Sequence, residues 1–217
     1  MQIIIFGSPG VGKGTQAKIL SAKLNIPHIS TGDILREAIK NQTEVGKKAK
    51  EIVEHGELVP DSIMGEIVKQ TLHDQKCKSG FILDGFPRTI AQAEILEKIF
   101  ESLKNESLFL IKLDADDNVI IQRLSNRMVC SKCGNIVVKD EVTENYKCPV
   151  CGSVNSYYKR RDDDESVIKH RLEVYHQTTA PVFDFYKTKA AVIDVDGTQH
   201  INDVTNQILS KLGVSCN

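Results

Sequence analysis

Gln2-Ile3-Ile4-Ile5-Phe6, followed by Gly7-Ser8-Pro9-Gly10-Val11-Gly12-Lys13-Gly14-Thr15, is the stretch on which the fold turns. The run QIIIF is short, apolar and ended by glycine, which predicts a buried strand feeding a loop. From Lys13 to Leu24 the apolar positions Ala17, Leu20 and Leu24 fall on one helical face, so the loop opens a helix. Glycines there let backbone N–H groups turn inward around a polyphosphate, and the helix N-terminus adds the positive end of its dipole. Lys13 supplies a point charge for β- and γ-phosphates, and a nearby hydroxyl can help place Mg²⁺. Gly14 stands where the general G-x4-G-K-[ST] form has Ser or Thr, with Thr15 one place later. A plain strand-to-helix turn is the bland alternative, and it gives the lysine no role.

Working outward, Pro27 to Ser30, Gly80 to Asp84, Leu108 to Leu113 and Ala191 to Asp196 read as further strands. Helical stretches lie between them, among them Ile90 to Leu103 and Asn118 to Arg127. Such alternation implies an α/β fold with a mostly parallel sheet covered on both faces. The strand Gly80-Phe81-Ile82-Leu83-Asp84-Gly85 ends in a carboxylate, placed at the carboxyl edge of the sheet where it can hold Mg²⁺ through water. Two stretches break the rhythm. Thr31 to Val59 is polar and helical and ends at Pro60, and Met128 to Lys159 carries cysteines, glycines and short β-like runs such as Asn135 to Lys139. Both read as insertions into one core.

With 28 basic and 29 acidic residues among 217, the formal charge is −1. A chain so balanced has no global electrostatic pull toward nucleic acid or an anionic membrane, so any attraction to phosphate is local. Its apolar start is too short for a signal peptide or a span, and cytosolic residence is the expectation.

Cysteines stand at 77, 130, 133, 148, 151 and 216, and the middle four form C-x2-C-x14-C-x2-C. Each pair is followed by a glycine that permits the knuckle turn. Four thiolates close a tetrahedral shell, so Cys130, Cys133, Cys148 and Cys151 predict a structural zinc with no open position. Reduced or redox-active thiols are the alternative. Cys77 and Cys216 read as plain thiols.

The chain has 21 lysines and seven arginines, at 36, 88, 123, 127, 160, 161 and 171. The lysines scatter and the arginines cluster, four of them flanking the cysteine insertion. Arg123 and Arg127, four apart, are expected on one helical face. Arginine's fork binds phosphate oxygens two at a time. Arg161, beside Asp162 to Asp164, reads instead as a surface ion pair. Phosphoryl transfer asks for in-line placement and charge neutralisation, and an anionic phosphate acceptor needs no general base. Accordingly the six histidines read as structural or solvated.

GSPGVGKGTQ, Ser30-Thr31-Gly32-Asp33-Ile34-Leu35-Arg36, and Asp84-Gly85-Phe86-Pro87-Arg88-Thr89 with Gln92 together resemble the adenylate kinase family, in order and over essentially the whole chain. The resemblance implies transfer of a phosphoryl group from ATP-Mg²⁺ to AMP, giving two ADP. It implies a P-loop NTPase-type, doubly wound core of five parallel strands, residues 1–29, 60–125 and 164–217. It also implies a helical nucleoside-monophosphate arm, 30–59, and a small β lid holding zinc, 126–163. Carried over by motif, Gly10, Val11, Gly12, Lys13, Gly14 and Thr15 would bind ATP phosphates, with Arg123 and Arg127 reaching ATP from the lid hinge. Gln199 would lie against its adenine. Thr31, Arg36, Glu57, Leu58, Val59, Gly85, Phe86, Pro87, Arg88 and Gln92 would line the AMP site, joined by Arg160 and Arg171. Many members have Lys at Gln199 and an aromatic at Ile136 or Val137. Related enzymes using UMP or CMP tend to have Ala at Thr31 and Asn at Gln92, so AMP is the implied acceptor. ATP and AMP or ADP are the expected partners, with no nucleic acid or membrane, and a monomer is expected. Two rivals remain: a kinase for UMP or CMP, and a P-loop ATPase using a zinc ribbon on nucleic acid.

Overall fold

A computed structural model describes residues 1–103 and 107–214, so Cys216 lies outside the described residues. β1 (Gln2–Phe6) is buried at all five positions. It pairs in parallel with β3 (Phe81–Asp84) on one side and β4 (Leu108–Asp114) on the other. β2 (His28–Ser30) pairs with β3, and the strand Ala191–Asp196 pairs with β4, both in parallel. The core is thus one five-stranded parallel sheet with β1 at its centre, as implied.

Successive side chains of a strand point to opposite faces, and the core divides accordingly. Ile3 and Ile5 join Leu20 of α1 (Lys13–Leu24), Leu124 of α6 (Asp117–Ser125) and Ile168 of α7 (Glu165–Val174). Ile4 and Phe6 join Val68 of α4 (Asp61–Leu72), Leu96 of α5 (Ile90–Leu103) and Tyr186 of α8 (Ala180–Tyr186). α9 (Ile201–Lys211) closes the first face through Ile208.

The first insertion is helical. α2 (Thr31–Lys40) is capped by Ser30, whose Oγ accepts from Asp33 N at 3.2 Å. α3 (Glu44–Glu54) is capped likewise by Thr43, accepting from Gly46 N at 3.1 Å. Such caps satisfy helix-start donors and explain why a polar stretch forms two helices. The second insertion carries an antiparallel sheet in which β5 (Arg127–Cys130) lies between β6 (Ile136–Val138) and β7 (Tyr157–Tyr158). The last strand of the core is therefore β8.

One expectation is corrected. α6 ends at Ser125, with Asn126 as its cap, and Arg127 opens β5. Arg123 and Arg127 do not share a helical face. At the start of the second insertion Met128 and Val129 pair with the β-branched Val137 and Ile136, and this pairing draws the chain out of the helix.

Candidate functional site

The loop between β1 and α1 lies beyond the carboxyl ends of the parallel strands, where open α/β sheets bind their ligands. Gly10 has φ 81°, and a Cβ there would sit 2.6 Å from Leu124 Cγ, so only glycine fits. Lys13 is folded against its own loop, donating to Gly7 O at 2.7 Å and Ser8 O at 2.8 Å. Burial pushes its ammonium down to about 8; Asp84 opposes this, while Arg88, Arg171 and Arg127 add to it. A Cβ on Gly14 would lie 3.5 Å from Asp84 Oδ2, so the missing side chain leaves the carboxylate facing the loop. Burial alone would raise the Asp84 carboxyl. The His28 imidazole and the charges of Lys13 and Arg88 outweigh it and hold the group below the ordinary carboxylate range. His28 Nε2 stands 3.4 Å from Asp84 Oδ2 without hydrogen-bond geometry to it.

Beyond Asp84 the chain turns through Gly85, φ 82°, and a cis Phe86–Pro87 bond. The turn is tied from several elements. Thr31 Oγ1 donates to Gly85 O at 2.9 Å, and Arg88 Nε donates to the same carbonyl at 2.8 Å. Arg88 N donates to Gln92 Oε1 at 2.8 Å. Thr179, buried at the end of a π-helical turn (Tyr175–Thr179) joining α7 to α8, donates to Arg88 O at 3.0 Å. π-turns of this kind recur at functional sites. Burial lowers the Arg88 guanidinium to about 10, with nearby Arg171 adding to the effect.

Arg36 pairs with Asp33 at 2.6 Å. Arg123 donates to Gly197 O at 2.7 Å. Arg127 grips Asp163 with two bonds, Nε to Oδ2 at 2.8 Å and Nη2 to Oδ1 at 2.6 Å. Arg171 reaches Asp162 at 3.1 Å and Asp163 at 3.7 Å. Burial brings Arg160 down to about 10, with Arg36 and Arg127 adding to it, and its Nε has no hydrogen-bond partner among the described residues. Arg161 is a surface pair, 3.0 Å from Glu54 of α3 and 76% exposed.

A cavity of about 1110 Å³ runs between the loop after β1 and the two insertions. Its walls include Gly10 to Thr15, Asp84 to Arg88, Leu58 and Gln199, together with Arg36, Arg123, Arg127, Arg160 and Arg171. Thr31, Glu57, Val59 and Gln92 line a smaller adjoining cavity, to which Arg36, Leu58, Gly85, Arg88 and Arg171 also contribute. The structure thus brings together every phosphate- and base-site residue expected from the sequence. Unforeseen were His28 behind Asp84, Asp162 and Asp163 under the arginines, and Thr179 on the Arg88 carbonyl. His28, Asp163 and Thr179 act across long sequence separations and Asp162 reaches Arg171 nine residues on, and no local pattern marks any of them.

The four knuckle sulfurs lie within 4.8 Å of one another. Cys130 and Cys151 Sγ are 3.7 Å apart, and Cys133 and Cys148 Sγ 3.6 Å. Tetrahedral zinc with Zn–S near 2.3 Å requires S···S of about 3.8 Å, so the shell fits. Gly134 (φ 69°) and Gly152 (φ 73°) each return a backbone N–H to the first cysteine's carbonyl at 2.9 Å. Ser156 Oγ at 3.2 Å from Cys130 Sγ, and Tyr157 Oη at 3.3 Å from Cys148 Sγ, form the outer ring that orients such ligands.

Comparison with known proteins points the same way. A family model described as adenylate kinase matches residues 5–191. The adenylate kinase of Caldicellulosiruptor saccharolyticus is 49% identical over 217 residues, covering 99% of this chain and 100% of that protein. Those of Methanocella arvoryzae and Acetivibrio thermocellus are 46% and 45% identical, covering 96% and 98% of each chain.

Proposed function

The chain belongs to the adenylate kinase family, and from that membership we propose that it moves the terminal phosphoryl group of ATP to AMP, reversibly, giving two ADP. Adenine-nucleotide homeostasis would be its role. One observation supports this above others: Lys13 and six guanidinium groups line one cavity, and burial penalises several of these cations. Half-buried cations that outnumber the carboxylates around one cavity fit a ligand that carries several negative charges.

In this reading the backbone from Gly10 to Thr15 and Lys13 cradle the ATP phosphates, and Gln199 lies beside the ATP base. Arg36, Arg88, Arg160 and Arg171 orient the AMP phosphate, while Arg123 and Arg127 meet ATP and the transferring group from the lid hinge. Thr31, Glu57, Leu58, Val59, Gly85 to Pro87 and Gln92 surround AMP. An anionic AMP oxygen forms the new bond to the γ-phosphorus as the β–γ bridging bond breaks, and ADP leaves with the electron pair. No proton has to move, so the residues act by placement and charge. Mg²⁺ bound with ATP would supply further charge neutralisation, and Asp84 would hold it through water. The four cysteines would hold zinc for structure only.

The pyrimidine-kinase and nucleic-acid readings lose to this one, since the relatives are adenylate kinases and the arm motifs have no part in a zinc ribbon. The domain limits 1–29, 60–125 and 164–217, 30–59, and 126–163 belong to the same proposal. So does a cytoplasmic location, because a four-thiolate site needs reduced cysteines. A monomer fits because one chain supplies every charged group of the cavity. Among the described residues no helix is long and apolar enough to cross a membrane. An acceptor panel tests the reading: with ATP-Mg²⁺, AMP should be turned over far better than GMP, CMP or UMP. Equal or faster turnover of UMP or CMP reverses it.

A further inference from the structure

Gln92 is buried, 2% exposed, at the edge of the smaller cavity. Its amide is pinned at both ends. Arg88 N–H donates to Oε1 at 2.8 Å, and Nε2 donates to Asp61 Oδ1 at 2.8 Å. A backbone N–H is only a donor and a carboxylate only an acceptor, so the two contacts fix one amide orientation. The flipped amide would set its oxygen against Asp61 and its NH₂ against the Arg88 N–H. Asp61 is the first residue of α4, 31 positions before Gln92, and it lines neither cavity.

We propose that Asp61 is a specificity-determining positioning residue, which selects a 6-amino purine by holding the Gln92 amide in this orientation. The inference rests on AMP as the acceptor and on Gln92 facing its base. Oε1 accepts two hydrogen bonds and Nε2 donates two, so each has one left after the internal contacts. The remaining pair is an acceptor beside a donor. Adenine offers the complement, a 6-amino donor beside the N1 acceptor. Hypoxanthine offers the reverse, a 6-oxo acceptor beside an N1–H donor. A fixed amide favours AMP over IMP, and an amide free to turn loses part of that preference. A site built to hydrogen-bond rejects the mismatched analogue strongly, because its own buried groups are left unpaired.

The test is the ratio of kcat/KM for AMP to that for IMP, measured for the parent, Asp61→Ala and Asp61→Asn, with melting temperature as a control. The ratio should fall about tenfold in Asp61→Ala, the size expected when one hydrogen bond to a charged partner no longer fixes the amide. Arg88 N–H still prefers Oε1 and limits the loss. Asp61→Asn keeps the shape but presents a donor as well as an acceptor, and its ratio should fall in the same direction by less. A purely structural role would lower turnover of both nucleotides and leave the ratio alone. Ratios within about twofold of the parent in both folded variants overturn the inference; if Asp61→Ala does not fold, Asp61→Asn decides alone. A parent inactive on AMP would instead sink the adenylate kinase reading, and this inference with it.

Discussion

Lys13 has two opposed duties, and pH separates them. Its folded-state pKa is about 8 against an ordinary 10.5, because burial penalises the ammonium. Between those values the unfolded chain binds a proton that the folded chain does not, so stability rises with pH across that window. The full effect is on the order of 3 kcal/mol. In nucleotide-free protein, the stability of the parent relative to Lys13→Met should therefore increase from about pH 8 to pH 10.5, and denaturant melts at both ends will show it. A flat difference would mean that the buried ammonium is not what titrates. The same substitution should lower kcat by at least about a hundredfold, since a charge meeting the transition state is lost. Arg88→Lys should fare little better than Arg88→Ala, each losing about a hundredfold or more, because lysine cannot reproduce the fork or the Nε bond to Gly85 O. A lysine variant near parental kcat would reduce Arg88 to a point charge. At this scale the sequence was legible where chemistry is local: Gly10, Lys13, Asp84 and Arg88 sit in short motifs. Asp163 was not, because its bond to Arg127 spans 36 residues and its run of acids looks like a solvated face.

Core elements could be read closely because their signals are strong. Ile90–Leu103 forms the helix expected, and the five core strands fall within a residue or so of their apolar runs. Lid strands of two to four residues are too short to show alternation, and the helix expected to reach Arg127 stops two residues sooner. What organises the lid is the cysteine spacing. Three short strands with a small apolar complement have little core of their own, so a metal bound by the four cysteines would contribute folding energy directly. Purified protein should carry about one zinc per chain. Cys130→Ser or chelation should lower the melting temperature, while activity measured in the cold falls far less, because a closed shell does no chemistry. Differential scanning calorimetry with metal analysis and cold-assayed kcat checks this. Complete loss of turnover with an unchanged melting temperature contradicts a structural role.

Across the whole molecule, the guanidinium groups come from separate units that meet at one cavity. Arg88 and Arg171 belong to the sheet-and-helix core and Arg36 to the helical insertion proposed as the arm, while Arg127 and Arg160 stand at the two ends of the cysteine-bearing insertion proposed as the lid. Contacts already join these units. Arg161 reaches Glu54 of α3 at 3.0 Å, and His170 of α7 reaches Glu57 at 2.7 Å. Residues Cys133 to Val138 of the second insertion form part of the cavity wall. Water competes with AMP for the transferring group, and it is present at about 55 M, so an enzyme of this kind has to exclude it. Binding energy from both nucleotides, used to bring the lid down, would expel water and complete the charge constellation together. The structure offers a clean way to remove the lid. Val129 and Tyr158 are antiparallel partners, and such Cα atoms lie only about 4.5–5.5 Å apart. A short Gly-Ser turn can therefore replace residues 129 to 158 without straining Arg127 or Arg160. In that variant AMP-dependent transfer should fall much more than ATP hydrolysis, both rates being measured in one preparation shown to be folded by circular dichroism. A ratio of transfer to hydrolysis equal to the parent's would show that selection of AMP over water resides in the core and arm alone.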